Sequence, residues 1–347
     1  MSKLLFVTQV MDKSDSVLGA YHGWVSELAK HVGHITVICL YEGEHTLPSN
    51  VRVFSLGKER GRAPAFVYAL RFLALVWRLR RTYDTVFVHM NQEYLLLAGV
   101  TWKLLGKRIF FWRNHYAGSV FTDMAALFCT KIFCTSRYSY TAKYKNTEFM
   151  PVGVDTSRFL ESTSVARIQH SILFFARMAP AKRPELFIEA LGLLKQRGVS
   201  FTASLYGSPL PVDVTYYENL KIKSRELGLE ESVIFYPEVP NSEAPAVFAA
   251  HEIFVNCSPS GMFDKTLFEA VGAGCVVLAR SLDFCEQAGS DFHFETCEEL
   301  AHTLEGMLVA LPSRASLTAL LERNSLKTLG LKLSLALEKP YTAQNRL

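Results

Sequence analysis

The chain has 347 residues, 49% of them hydrophobic and 20% charged, which suits one large or two medium cores and excludes a disordered or collagen-like chain. Its net charge of +4 conceals an asymmetry: residues 1–152 carry 19 Lys+Arg against 10 Asp+Glu, and the remainder 18 against 23. A basic first half invites an anionic surface, whether phospholipid, lipid diphosphate or nucleic acid.

MSKLLFVTQV opens the chain as a buried strand, because it is too short and too soon followed by Asp12, Lys13 and Asp15 to be a secretory signal. Further strands are expected at Ile35–Tyr41, Thr85–His89, Arg108–Trp112 and Lys131–Cys134, after a first at Leu4–Val10, with helices at Ala20–His31, Ala65–Arg81 and Glu93–Leu105 between them. The strands are near-continuous apolar runs, the pattern of a parallel sheet covered by helices on both faces. The second half repeats the rhythm, with strands at Ser171–Ala176, Ser200–Tyr206, Val233–Tyr236, Ile253–Asn256 and Cys275–Ala279. Helices are expected there at Glu185–Arg197, Tyr216–Leu227, Glu243–Ala249, Leu267–Ala273 and Cys297–Val309. Two doubly wound α/β domains follow, joined at MPVGVDTSRF, residues 150–159, with ligands expected at the carboxyl ends of the strands and in the cleft between the domains. The seven cysteines are scattered and form no C-x-x-C pair, so they read as reduced thiols of a cytoplasmic protein, not as a metal site. No stretch of about 18 uncharged apolar residues marks a membrane span.

Two stretches carry chemistry. In ILFFARMAPAKRPELFIEAL, residues 172–191, a strand end is followed by Arg177 and Lys182 and then by a helix beginning near Pro184. Basic side chains beside a helix N-terminus suit a diphosphate; the alternative is two solvated loop charges. In NCSPSGMFDKTLFEAVGAGCVVLA, residues 256–279, the loop Ser258–Lys265 would present backbone N–H groups to phosphate or sugar oxygens. Glu269, on the otherwise apolar helix that follows, needs a partner, which ribose hydroxyls or a nearby basic residue would supply. Lys265 opens that helix, where a cation is unfavourable unless an anion lies near; it faces a diphosphate or acidic sugar, pairs with Asp264, or points to solvent.

Taken in order, MPVGVDTSRF (like I-P-N-G-V-D-x-x-x-F), FARMAPAKRPELFIEAL (like G-R-x-x-x-x-K-G-x-x-x-L-I-x-A-x) and LFEAVGAGCVVLA (like L-E-A-M-A-x-G-x-P-V-V-A) resemble retaining glycosyltransferase family 4. The resemblance runs through residues 150–337 and covers the first half only in outline. It implies the GT-B fold, two Rossmann-like doubly wound domains facing each other across a cleft. Residues 1–152 would form the acceptor domain and residues 153–347 the nucleotide-sugar domain, with the last helix (about 322–337) packing back on the first. It implies that Arg177 and Lys182 bind the donor diphosphate, that Glu269 holds the ribose, and that neither a metal nor another cofactor takes part. The first Glu of the family's Glu-x7-Glu motif is here Gly261, and the usual E-G-F-G is G-M-F-D, so Gly261, Met262, Phe263, Asp264 and Lys265 would meet the donor sugar through backbone and lysine instead. In the first half, Gly19 resembles a glycine loop near the donor phosphates, and His115 a histidine near the donor sugar; a turn glycine and a loop histidine are the plain alternatives. Asp84 and His89 flank a strand and read as structural.

Residues 60–81, RGRAPAFVYALRFLALVWRLRRT with Thr82, place Arg71, Arg78 and Arg81 on one side of a helix whose apolar arc exceeds what one domain face needs. It reads either as an ordinary domain helix or as one lying on an anionic bilayer, which would make the protein peripheral at the inner face of the membrane and its acceptor a lipid-linked saccharide. The function expected is transfer of a sugar, with retention, from a nucleotide-sugar donor to a saccharide or lipid-linked acceptor. A degenerate domain that binds nucleotide without turnover is the alternative that Gly261 raises. Nucleic acid is not an expected partner, since the basic residues form no RNA-binding aromatic motif.

Overall fold

The structure, a computed structural model, describes residues 2–15, 17–160, 165–262, 264–313 and 315–338. The chain divides into two compact units, one ending at Gly153 and resumed from Leu326, the other Val154–Ser325.

The first unit is built from β1 (Lys3–Met11), α1 (Ala20–Leu28), β2 (His34–Glu42), β3 (Val51–Ser55), α2 (Ala65–Arg78), β4 (Thr85–His89), α3 (Glu93–Leu104), β5 (Arg108–Trp112), α4 (Val120–Leu127), β6 (Lys131–Cys134) and β7 (Thr147–Phe149). All seven strands pair in parallel in the order β3-β2-β1-β4-β5-β6-β7. The central strands are mostly apolar because helices cover both faces. On one face Phe72 and Val76 of α2, Leu95 and Trp102 of α3 and Ala125 of α4 pack on Leu5, Val7, Val86 and Phe111. On the other, Trp24 and Leu28 of α1 pack on Phe6, Phe87 and Trp112. Sequence patterning missed β3 and β7. Both lie at the sheet's edges and are only half buried, so neither shows a continuous apolar run.

The second unit comprises α5 (Thr156–Leu160), β8 (Ser171–Phe175), α6 (Pro184–Gln196), β9 (Thr202–Tyr206), α7 (Val214–Glu226), β10 (Val233–Tyr236), α8 (Ala244–Ala249), β11 (Ile253–Asn256), α9 (Lys265–Gly272), β12 (Val276–Ala279), α10 (Leu282–Ala288), α11 (Cys297–Val309) and α12 (Ala315–Arg323). Its five strands are again all parallel, ordered β10-β9-β8-β11-β12. Phe174 stacks on Phe187 of α6 at 5.5 Å, and Phe254 meets Phe248 of α8 edge-on at 5.3 Å, so each face of the sheet carries an aromatic lock.

The final helix α13 (Leu326–Glu338) belongs to the first unit, where Leu329, Leu333 and Leu337 join the core beside α1. Trp24 anchors the end of that unit by donating its indole N–H to the Gly153 carbonyl at 3.0 Å.

Candidate functional site

In the second unit the strand order reverses between β8 and β11, which lie side by side while their chain neighbours β9 and β12 lie outward. The carboxyl ends of two such strands bound a natural ligand crevice. The loop after β8 carries Arg177 and Lys182, and the loop after β11 carries Ser258 to Asp264, so the two stretches singled out in the sequence flank the same switch point.

The first loop closes in a single 3-10 turn, Pro180–Lys182, before α6. Arg183 joins them in a left-handed conformation, φ 50° and ψ 47°, where the resembled sequence run has glycine. An L-residue with a side chain pays about 1 kcal/mol there, and the conformation sets Lys182 at the start of the helix. Arg177 is exposed, and among the described residues its side chain makes no hydrogen bond or ion pair.

Lys182 is held differently. Its ammonium lies 2.7 Å from both Asp264 oxygens and 3.3 Å from Ser258 Oγ. Ser258 Oγ donates to Asp264 Oδ2 at 2.5 Å, and Asn256 Nδ2 donates to the same oxygen at 3.1 Å. The two charged side chains are only 14% and 16% exposed. Burial alone would push the Asp264 carboxyl up, but the Lys182 charge and the Ser258 and Asn256 hydrogen bonds outweigh it and hold the group below the ordinary aspartate value. Sequence reading missed this pair: it placed Asp264 among backbone contacts to a sugar and matched it only with Lys265, its chain neighbour. No spacing rule links residues 82 positions apart.

Asp264 is the N-cap of α9, and Lys265 is its first residue. One turn on, Glu269 is 7% exposed, and among the described residues no donor hydrogen-bonds its carboxylate. Burial raises its pKa, opposed by the charges of Lys265 and Arg158. The carboxylate is thus largely buried, with no hydrogen-bond partner among the described residues.

The loop's backbone is less open than the sequence suggested. Ser258 N–H donates to Asn256 Oδ1 at 3.0 Å, and Gly261 N–H to Asp283 Oδ2 at 2.7 Å, so neither amide is open to a ligand in this arrangement. Gly261 has φ 90°, a region that favours glycine. Asp283, in the first turn of α10, was not singled out by sequence; it is buried and also accepts from Ser281 Oγ at 3.2 Å. Met262 follows Gly261 and is half-buried, while Phe263 lies outside the described residues.

Gly19 and His115 belong to the first unit. Gly19 is the N-cap of α1 with ordinary helical angles, φ −57° and ψ −31°, and its N–H donates to the Asp15 carbonyl at 3.0 Å. Its conformation therefore does not require glycine, and in this arrangement its amide is taken by the chain itself. His115 lies in the loop after β5; Ala117 N–H donates to its Nδ1 at 2.9 Å, and the ring stacks on Tyr116. Near it in the sheet, Met90 follows β4 with φ 67°, a strained conformation that sequence did not reveal. His89 is buried, 3.2 Å from Thr8 Oγ1 through Nδ1, in keeping with a structural role.

The site's unit also contains the segment that matches a known family. Residues 169–309 match the family described as "Glycosyl transferases group 1". HepE of Anabaena, solved in complex with UDP and glucose, superposes with a TM-score of 0.79 over 98% of this chain and 100% of that one, at 18% identity. The fold is GT-B. Among curated proteins, mannosylfructose-phosphate synthase of Agrobacterium fabrum is 26% identical over 147 residues, 39% of this chain and 32% of its own. The GDP-mannose-dependent alpha-(1-6)-phosphatidylinositol monomannoside mannosyltransferase of Mycolicibacterium smegmatis is 28% identical over 116 residues, 31% of this chain and 29% of its own. The chain thus spans about a third of the length of these curated relatives.

Proposed function

We propose that the protein is a glycosyltransferase that moves a sugar from a nucleotide-sugar donor to a saccharide or lipid-linked acceptor with retention of anomeric configuration. The observation that carries this reading is that Arg177 and Lys182 follow β8 while Glu269 stands on the helix that follows β11, the two strands of the switch point, inside the segment that matches group 1 glycosyl transferases.

Arg177 and Lys182 offset the charge that develops on the departing diphosphate, and Glu269, which has no hydrogen-bond partner among the described residues, receives the ribose hydroxyls. The acceptor oxygen forms its bond to the anomeric carbon on the face from which the diphosphate leaves. The carbon–oxygen bond to the diphosphate breaks, and the acceptor's proton passes to a phosphate oxygen. The donor is a substrate, and the reading calls on no further cofactor. The roles of His115 and Gly19 rest on the sequence resemblance alone.

A thermal-shift series with UDP-, GDP- and ADP-sugars tests the donor: a ligand at 100 times its dissociation constant stabilises by about 2.7 kcal/mol. A melting temperature unmoved by every nucleotide sugar would remove the donor reading. NMR of the product then tests retention, which an inverted anomeric centre would overturn.

A further inference from the structure

The helical layer α2–α3–α4 of the first unit has an unusual outer face. The three helices cover one side of the sheet as neighbours: Phe72 of α2 meets Tyr94 of α3 at 4.8 Å and Trp102 at 6.0 Å. On the other flank, α3 and α4 approach so closely that a Cβ on Gly99 would fall 2.5 Å from the Phe128 ring. Each helix buries one apolar stripe in the core and exposes a second one.

On α2 the exposed stripe is Phe66, Leu70 and Trp77, at spacings of four and seven that return to one side of the helix. On α3 it is Leu97, Val100 and Leu104, the last 83% exposed. On α4 it is Val120, Met124 and Leu127, the last 81% exposed. A helix that faces water normally turns charged and polar residues outward. In the second unit the exposed residues are mostly charged or polar: α7 exposes Glu218, Asn219 and Arg225 beside Val214 and Ile222, and α11 exposes Glu298, Glu299 and His302 with Val309 at its end. Apolar residues side by side on three adjacent helices mark an interaction surface.

Charge identifies the partner. Residues 60–127 hold ten Lys+Arg against three Asp+Glu. One of the three acids, Asp123, is already taken by Tyr140, Tyr144 and Lys143. Arg71 and Arg78 are exposed on α2 and Arg81 just beyond its end, Lys103 is exposed at the end of α3, and Arg80 stacks over Trp77 at 4.3 Å. A second copy docking by the same face would set arginines against arginines. We infer that the α2–α3–α4 face docks on an anionic lipid bilayer, the apolar stripes entering the headgroup–acyl boundary and the basic residues meeting lipid phosphates. The surface extends well beyond α2, to α3 and α4.

Co-sedimentation of the full chain with vesicles reads this face whatever chemistry the second unit performs. Wild type should pellet with phosphatidylglycerol–phosphatidylcholine vesicles at low salt, be released by high salt, and stay in solution with phosphatidylcholine alone. Two variants separate the components, each confined to the outer face so that the core is untouched. Leu70→Gln with Leu104→Gln and Leu127→Gln should lower partitioning about tenfold or more. Arg78→Gln with Arg80→Gln and Arg81→Gln should lower it on the order of a hundredfold. Wild type that never pellets, or either variant pelleting as wild type does, would overturn the inference. So would a lipid-free dimer of the wild type that the leucine variant dissolves, since a second copy would then own the face.

Discussion

Lys182 and Asp264 hold each other with the ammonium 2.7 Å from both carboxylate oxygens, across the two loops that bound the β8–β11 switch point. An ammonium that the sequence assigns to a phosphate therefore already has an anion, and a diphosphate entering the site must share it. Asp264→Asn should raise the affinity for free nucleoside diphosphate about tenfold, because a like charge near the incoming phosphate is removed. The same change should lower the folded unit's stability by roughly 1–3 kcal/mol, since Lys182 loses its charged partner. Isothermal titration and melting curves read both effects; weaker nucleotide binding would show instead that Asp264 mainly positions Lys182 for the phosphate.

Acid stability should carry the mark of the same pair. The Asp264 carboxyl lies below its unfolded value, so its contribution is complete above the unfolded aspartate pKa of about 3.9 and is lost as pH falls through the lower folded value. Denaturant unfolding followed from neutral pH to strong acid should show an acid limb less steep in Asp264→Asn than in wild type. Superimposable limbs would mean that the pair adds nothing to folding.

Arg177 and Lys182 should part company in stability while agreeing in activity. Each alanine variant should cut turnover on the order of a hundredfold, the loss of one leaving-group stabiliser. Arg177 is exposed and makes no hydrogen bond or ion pair among the described residues, so its removal should leave the stability within about 0.5 kcal/mol of wild type. Lys182→Ala leaves Asp264 part-buried without its counter-charge and should melt several degrees lower, roughly 2–4 °C per kcal/mol lost. Near-normal turnover in both would remove the leaving-group role.

Glu269 presents the opposite sign. Its carboxyl is raised by burial, so its favourable contribution belongs to the protonated state, is complete below the unfolded glutamate pKa of about 4.3, and is lost as pH rises through the folded value. Glu269→Gln should therefore stabilise the ligand-free protein at neutral pH, by about 1 kcal/mol, with the gain shrinking toward acid. It should at the same time weaken nucleoside diphosphate and donor alike, because the ribose is common to both. Unchanged nucleotide affinity with transfer abolished would assign Glu269 to catalysis instead.

What the sequence shows of this molecule follows from where its information lies. β1, β4 and β5 are buried on both faces, so their apolar runs are unmistakable; β3 and β7 are edge strands that share their surface with water. The placement of Arg177, Lys182 and Glu269 is legible because each stands at a fixed place relative to a strand end or helix start. The Lys182–Asp264 pair and the grip of Asp283 on Gly261 are not, because they depend on which loops the topology brings together. The outer face of α2 is legible from its arginines and tryptophan. Those of α3 and α4 are hidden, because an exposed leucine and a buried one look alike in a helical pattern until the sheet shows which side is occupied.

Gly261 stands where the resembled motif has its first glutamate, and the structure says why restoring that residue should fail. Its φ of 90° lies in the region that side chains rarely adopt, and its N–H is held 2.7 Å from the buried Asp283 carboxylate. A glutamate there either bears roughly 1–2 kcal/mol of backbone strain or turns the loop and gives up the Asp283 bond. Gly261→Glu should lower the melting temperature by a few degrees and weaken donor binding, and Gly261→Ala should show the same thermal loss without the added charge. Asp283→Ala should weaken donor binding through the same loop, although residue 261 is unchanged. A Gly261→Glu protein that melts like wild type and binds a nucleotide sugar more tightly would show that the loop adapts freely, and that the missing glutamate, not the Asp283 anchor, sets how this site meets its donor.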